Sequence, residues 1–175
     1  MTPPDATTEI AVEDPRWASM NLPSLAPRAI GATLSALNLP PEAFEVSMLA
    51  CDDARIANLN AEFRDKPVPT NVLSWPAEDR APDVPGALPR LPEPDNPMER
   101  ELGDLALAYE TCMAEAQTAG ISAQNHVTHL IVHGTLHLLG FDHITDADAT
   151  RMEALERVIL ATLGIADPYS VSVLD

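Results

Sequence analysis

His133-Gly134-Thr135-Leu136-His137-Leu138-Leu139-Gly140-Phe141-Asp142-His143 is the stretch that decides how this chain reads. Its first two histidines are four residues apart, so a helix carries them on one face, one turn apart. Gly140 stands where such a helix must stop, because glycine enters the left-handed turn that ends helices without steric cost. The chain then doubles back and brings His143 toward the first pair. Three converging imidazoles leave a fourth position open for water or substrate, the pattern of a catalytic rather than a structural zinc. One zinc ion is expected, held by His133, His137 and His143. Imidazole also suits nickel and other divalent transition metals, so the residues do not choose between them. In zinc peptidases with the long helical motif, the residue after the first histidine is a glutamate that acts as general base. Here that position is Gly134, which has no side chain to do so.

Outward from this stretch, Ser122 is a candidate N-cap for a helix of about 18 residues ending at Leu139. Val127, Leu130, Ile131 and Leu138 give it an apolar stripe, with His126, His129, His133 and His137 as a second stripe beside it. His129 reads as a packed helix histidine and His126 as solvent-facing. A last helix is expected from about Asp146 to Leu163, with Met152, Leu155, Val158, Ile159 and Leu163 facing inward. Upstream, strands are expected at 8–12, 44–50, 71–75 and 102–109, and helices at 24–37, 52–63 and 111–119. The order β α β α β β α α α predicts an α+β fold. It has a small mixed, mostly parallel sheet of four to five strands, about five helices, and a zincin-like metal helix lying across the sheet.

Residues 76–100 differ from the rest. Prolines at 76, 82, 85, 89, 92, 94 and 97 are mixed with acids, and no apolar period survives. The segment is expected to be an extended, loosely packed surface loop that tolerates shortening. The length, 175 residues, fits one domain spanning 1–175. Cys51 and Cys112 lie in apolar surroundings and read as core thiols. Met1-Thr2-Pro3-Pro4-Asp5 has neither a basic region nor an apolar run, and no stretch approaches a membrane span, so a cytoplasmic protein is expected. The net charge of −17, with only ten basic residues, argues against a protein that coats RNA or DNA through broad phosphate contacts.

Two further segments join the histidine stretch. Phe63-Arg64-Asp65-Lys66-Pro67-Val68-Pro69-Thr70-Asn71-Val72-Leu73-Ser74-Trp75-Pro76 combines a basic pair with a strand, and Leu102-Gly103-Asp104 opens another strand. With the histidine stretch, these resemble the YbeY family of bacterial metal-dependent endoribonucleases that act in ribosomal RNA maturation. The first segment is similar to the family's FRGKDKPTDVLSFP-like block, the second to its LGD strand start, and the histidine stretch to its HGxLHLxGyDH signature. The likeness runs from about residue 44 to 163. Val68 stands where the family usually has a second lysine, and Asn71 where it usually has an aspartate.

The resemblance implies a single-strand-specific endoribonuclease for ribosomal RNA, at the 3′ end of the small-subunit RNA, with a part in ribosome quality control. It implies that Arg64 is catalytically important. Arg64 and His133 are then the expected catalytic residues. Arg64, Lys66 and Asn71 are the expected substrate contacts, since a guanidinium matches phosphate oxygens with two parallel donors. Single-stranded RNA and the ribosome or small-subunit proteins are the expected partners, with no membrane and no DNA. Two alternatives remain open on the residues alone: another metallohydrolase such as a peptidase or amidase, and an assembly factor whose metal is mainly structural. Asp142, beside His143, reads as a structural cap for the next segment more than as a residue that orients a ligand histidine, Ser74 as a candidate cleft residue, and Trp75 and Tyr109 as core anchors more than base-stacking platforms.

Overall fold

The computed structural model of the protein describes residues 6–169. Strand β1 (Thr7–Val12) leads through a 3-10 turn (Pro15–Met20) into helix α1 (Leu22–Ala36). Strand β2 (Glu45–Cys51), helix α2 (Asp53–Arg64) and strand β3 (Val72–Pro76) follow. After the proline-rich connection come strand β4 (Glu101–Ala108) and helices α3 (Tyr109–Ala119), α4 (Ala123–Leu138) and α5 (Asp146–Thr162). The nine regular elements fall in the expected order. Helix α1 starts two residues earlier than expected because Pro23, with its fixed φ, belongs in a first turn.

The sheet has the order β1-β2-β4-β3. β1, β2 and β4 run parallel, and β3 is an antiparallel edge strand paired to β4. Alternation along the strands divides the core. Val46, Met48, Leu105 and Leu107 pack on one face with α1, α4 and α5. Leu73, Ala106, Ala108 and Cys51 face the other way, where Ile56 and Leu59 of α2 cover them. Cys51 and Cys112 are buried thiols, each pushed up to about 12 by burial. Tyr109 anchors the core, edge-on to Trp17. Trp75 lies on the α2 side, edge-on to Phe63. Val158 departs from expectation: it is exposed, and the buried stripe of α5 is Met152, Glu156, Ile159 and Leu160.

Helix α4 lies against β3 and β4. Gly134 lets it do so, since a Cβ there would come within 2.8 Å of Leu105 Cδ2. The position that lacks a catalytic glutamate is therefore also a point of close helix–sheet approach. Gly103, the glycine of the Leu-Gly-Asp strand start, has φ +140, and a Cβ would stand 2.2 Å from the Trp75 carbonyl oxygen. It serves the close meeting of β3 and β4.

The 76–100 connection is irregular, with turns at 85–86 and 94–95 and a 3-10 turn at Pro97–Glu99, and it is fastened to the domain at several points. Arg80 is 4% exposed. Its guanidinium donates to the Arg90 carbonyl at 3.1 Å and to Glu99 at 3.2 Å, and pairs with Glu78 at 3.2 Å. Pro89 and Pro92 are buried and Leu91 packs on the core. Gly86 is tied to α5: its N–H donates to Asp148 at 2.6 Å, and its carbonyl accepts from Arg151 at 2.7 Å. Periodicity could not reveal this packing, because irregular backbone was anchored by one buried cation rather than by an apolar stripe. The segment is therefore anchored at Arg80, Gly86 and Leu91, although most of its residues are exposed. Arg80→Ala is expected to lower the melting temperature by several degrees, because it removes the donor to Glu99 Oε1 and to the Arg90 carbonyl. Thermal unfolding followed by circular dichroism checks this, and a shift below one degree would return the segment to a dispensable loop.

Gly140, which ends α4, has φ +102, and a Cβ on it would lie 2.7 Å from the Arg80 carbonyl oxygen. Gly140→Ala combines backbone strain with a clash against buried backbone. It should cost about 2–4 kcal/mol, measured as a shift in denaturant midpoint at unchanged slope.

Candidate metal centre

Helix α4 carries His129, His133 and His137 along one face. The helix is capped by Ser122, whose side chain accepts from the Asn125 N–H. At its other end the Gly140 N–H donates to the His137 carbonyl and the Phe141 N–H to the Leu136 carbonyl, at 3.0 Å each, closing the helix and turning the chain. Asp142 accepts the His143 N–H at 2.7 Å within the turned segment. One ligand atom from each of His133, His137 and His143 falls within 4.8 Å of the others. The His143 ring centre is 5.3 Å from that of His133 and 5.1 Å from that of His137.

Hydrogen bonding fixes how these rings are used. His133 Nδ1 is 2.8 Å from Glu156 Oε1, and His137 Nδ1 is 3.0 Å from the Phe141 carbonyl oxygen. An ionised carboxylate and a carbonyl only accept, so each Nδ1 carries the proton. In the neutral rings both Nε2 atoms are then bare lone pairs, and they face each other at 3.0 Å. Two facing lone pairs repel unless a cation lies between them. The separation is close to the roughly 3.3 Å expected for two nitrogens bound tetrahedrally to one zinc. The donor set therefore fits a transition-metal ion, with His143 as the exposed third ligand.

Glu156 was not picked out from the sequence. It is fully buried, and it accepts from His129 Nε2 at 2.6 Å and from the Tyr169 hydroxyl at 2.5 Å as well as from His133. Burial alone would raise its pKa, but the hydrogen bonds from His129 and His133 overcome that and hold it at about 2. Burial, followed by the bond to Glu156, pushes the Tyr169 phenol well above its usual range. The signal for Glu156 was an acid within the apolar stripe of α5. His126 is not solvent-facing: its Nε2 is 2.8 Å from Glu115, which also accepts from the Asn71 amide at 3.0 Å.

Arg64, Lys66, Asn71 and Ser74 line a cleft of about 700 Å³ together with His133, His137 and His143. Arg64 stands in the last turn of α2, and its Nη2 donates to the Ser74 carbonyl at 2.7 Å. Lys66 lies just past the helix on the exposed rim. Asn71 has its amide oxygen on the Val72 N–H at 2.6 Å and its amide nitrogen on Glu115, so both ends are engaged in holding the cleft wall. Glu78, Asp79 and Asp142 bring acidic groups to the same cleft, whereas Trp75 is not among its lining residues.

The sequence model of the family described as Endoribonuclease YbeY matches residues 9–164. The chain belongs to the YbeY endoribonuclease family. A curated relative from Dinoroseobacter shibae, described as Endoribonuclease YbeY, is 69% identical over 167 residues, covering 95% of this chain and 92% of that protein. One from Ruegeria pomeroyi, with the same description, is 60% identical over 94% of this chain and 99% of its own length. A solution structure of a Thermotoga maritima protein superimposes with a TM-score of 0.53 over 90% of this chain and 91% of its own, at 15% identity. That last likeness shows the fold of the YbeY-family chain and no more.

The histidine cluster is expected to make the metal-free protein sensitive to acid. Burial first, then the neighbouring His133 and His143, lower the His137 pKa from 6.5 to about 4. A base whose folded pKa lies below its unfolded one favours the folded state while neutral. Its contribution is present above about pH 6.5 and is lost as pH falls toward about 4. Glu156 acts in the same direction between 4.5 and about 2. Chelator-treated protein is thus expected to lose stability from about pH 6.5 downward, and His137→Gln should flatten the upper part of that profile in urea titrations.

Proposed function

We propose that the protein is a metal-dependent endoribonuclease that cuts single-stranded RNA in ribosomal RNA maturation, working in the cytoplasm as one domain. Supporting this are the family membership and one observation above all: the histidine triad and Arg64 line a single cleft. His133, His137 and His143 would hold one ion, zinc first and nickel as the alternative. Bound there, the ion would supply Lewis-acid stabilisation of a phosphodiester oxygen and activation of water.

The chain's own residues supply the rest. Arg64 is the proposed phosphate ligand. Its bond to the Ser74 carbonyl uses one donor and fixes the guanidinium plane, leaving further N–H groups for phosphate oxygens. Phosphodiester cleavage gains negative charge in the transition state, and a preorganised cation placed for that charge is the usual means of stabilising it. Lys66 adds a mobile second charge at the rim. Asn71, with both amide ends engaged, acts by shaping the wall rather than by gripping substrate. Val68 offers no cation where the family usually places one, so Arg64 and Lys66 carry this wall's positive charge.

A peptidase reading is disfavoured by Gly134. Even a Cβ there would press on Leu105, so a glutamate base has no room in this packing. A purely structural metal is disfavoured by the fourth ligand position, for which neither buried cysteine belongs to the histidine cluster.

Metal analysis of purified protein is expected to give one ion per chain, lost in His137→Ala. With metal content and fold unchanged, Arg64→Ala should lower cleavage of a single-stranded RNA by at least about 100-fold. Cleavage near the wild-type rate would reassign phosphate binding, with Lys66 next in line.

A further inference from the structure

We propose that Glu156, on α5 and outside the histidine stretch, is the positioning residue of the metal centre, with Tyr169 and His129 as the clamps that hold its carboxylate. The proposal rests on the metal reading above and deepens it. Glu156 lies in the stripe Met152, Glu156, Ile159, Leu160, where every other member is apolar and buried. A carboxylate at 0% exposure is costly unless its oxygens are fully served by donors. Here they are. Oε1 accepts from His133 Nδ1 at 2.8 Å, and Oε2 accepts from His129 Nε2 at 2.6 Å and the Tyr169 hydroxyl at 2.5 Å.

The consequence is a fixed tautomer. A carboxylate only accepts, so His133 must keep its proton on Nδ1 and present Nε2 as a lone pair toward His137. Without that acceptor, the ring is at liberty to carry the proton on Nε2, where it blocks the metal position, or to rotate. The Phe141 carbonyl does the same service for His137 at 3.0 Å. The two supports differ in kind. The backbone carbonyl comes with the turn at Gly140, while the carboxylate comes from a separate helix and brings negative charge that raises the donor strength of His133.

His129, His133 and Glu156 also bring one ligand atom each within 4.8 Å of one another. They do not read as a second ion site. The proton on His133 Nδ1 would have to leave, and Glu156 is already committed to three short donors. Tyr169, seven residues beyond the last residue of α5, ties the following chain to the same carboxylate. The chain after α5 thereby becomes part of the support of the metal centre.

The test uses the whole protein with zinc as probe. Zinc affinity is measured by competition with a chromophoric chelator, and the proton positions of His133 and His137 by long-range nitrogen–proton NMR of the metal-free protein at neutral pH. The wild type is expected to bind zinc and to show both rings protonated on Nδ1. Glu156→Leu, which keeps bulk but removes the acceptor, should weaken zinc binding about 10–100-fold and release the His133 proton to Nε2, with His137 unchanged. Glu156→Gln retains one acceptor oxygen and should recover part of the affinity. Tyr169→Phe, which leaves His133 untouched, should weaken zinc by a smaller factor, and it carries the test if Glu156→Leu does not fold. A wild-type His133 protonated on Nε2, or zinc binding by Glu156→Leu within twofold of wild type, overturns the proposal alone. A wild type that binds neither zinc nor nickel overturns the metal reading and this proposal with it.

Discussion

Two imidazole nitrogens, Nε2 of His133 and Nε2 of His137, face each other at 3.0 Å, and much of the structure exists to keep them so. The four-residue helical spacing places the rings on one face, but spacing does not orient a ring. Orientation comes from the other nitrogen of each ring, one held by Glu156 and one by the Phe141 carbonyl. The second of these requires the chain to reverse immediately after α4. That reversal needs the positive φ of Gly140, and the space beside Gly140 is filled by the backbone of Arg80. The proline-rich connection is thus coupled to the metal centre through packing, although none of its residues is a candidate ligand.

Helix α5 contributes the other support. It packs on α4 through a stripe in which Glu156 replaces an apolar residue. The stability of that arrangement depends on complete satisfaction of the carboxylate, since a half-satisfied buried anion is worse than an apolar core. His129 and Tyr169 supply what His133 alone cannot. His129 is therefore neither a ligand nor an idle packed histidine: its Nε2 is engaged with Glu156.

The fold was legible wherever side chains repeat with a period. The strand at Glu45–Cys51, helix α2, the Ser122 cap and the apolar stripe of α4 all lie where the sequence places them. The triad was legible because all its spacing is local, over eleven residues. Glu156 was not, because its partner is 23 positions away and an acid in an amphipathic helix ordinarily faces water. His126 was misread for the same reason: its partner Glu115 belongs to α3. The packing of 76–100 escaped because Arg80, a residue type that is rarely buried, holds it. Local chemistry was readable, while contacts between distant segments that rest on one polar side chain were not.

The charge of the molecule bears on how such a centre meets RNA. At −17 the protein repels a polyanion at long range, and the cleft carries Glu78, Asp79 and Asp142 beside its cations. Arg80 adds little to the field at the cleft, because it is paired with Glu78 and Glu99. Arg64 and Lys66 thus face RNA as a small positive patch on an acidic body. A patch of this size neutralises few phosphates, so the salt dependence of binding should be shallow. It also means that broad phosphate attraction cannot deliver the substrate. Selection then rests on how well a strand fits the cleft beside Arg64 and Lys66.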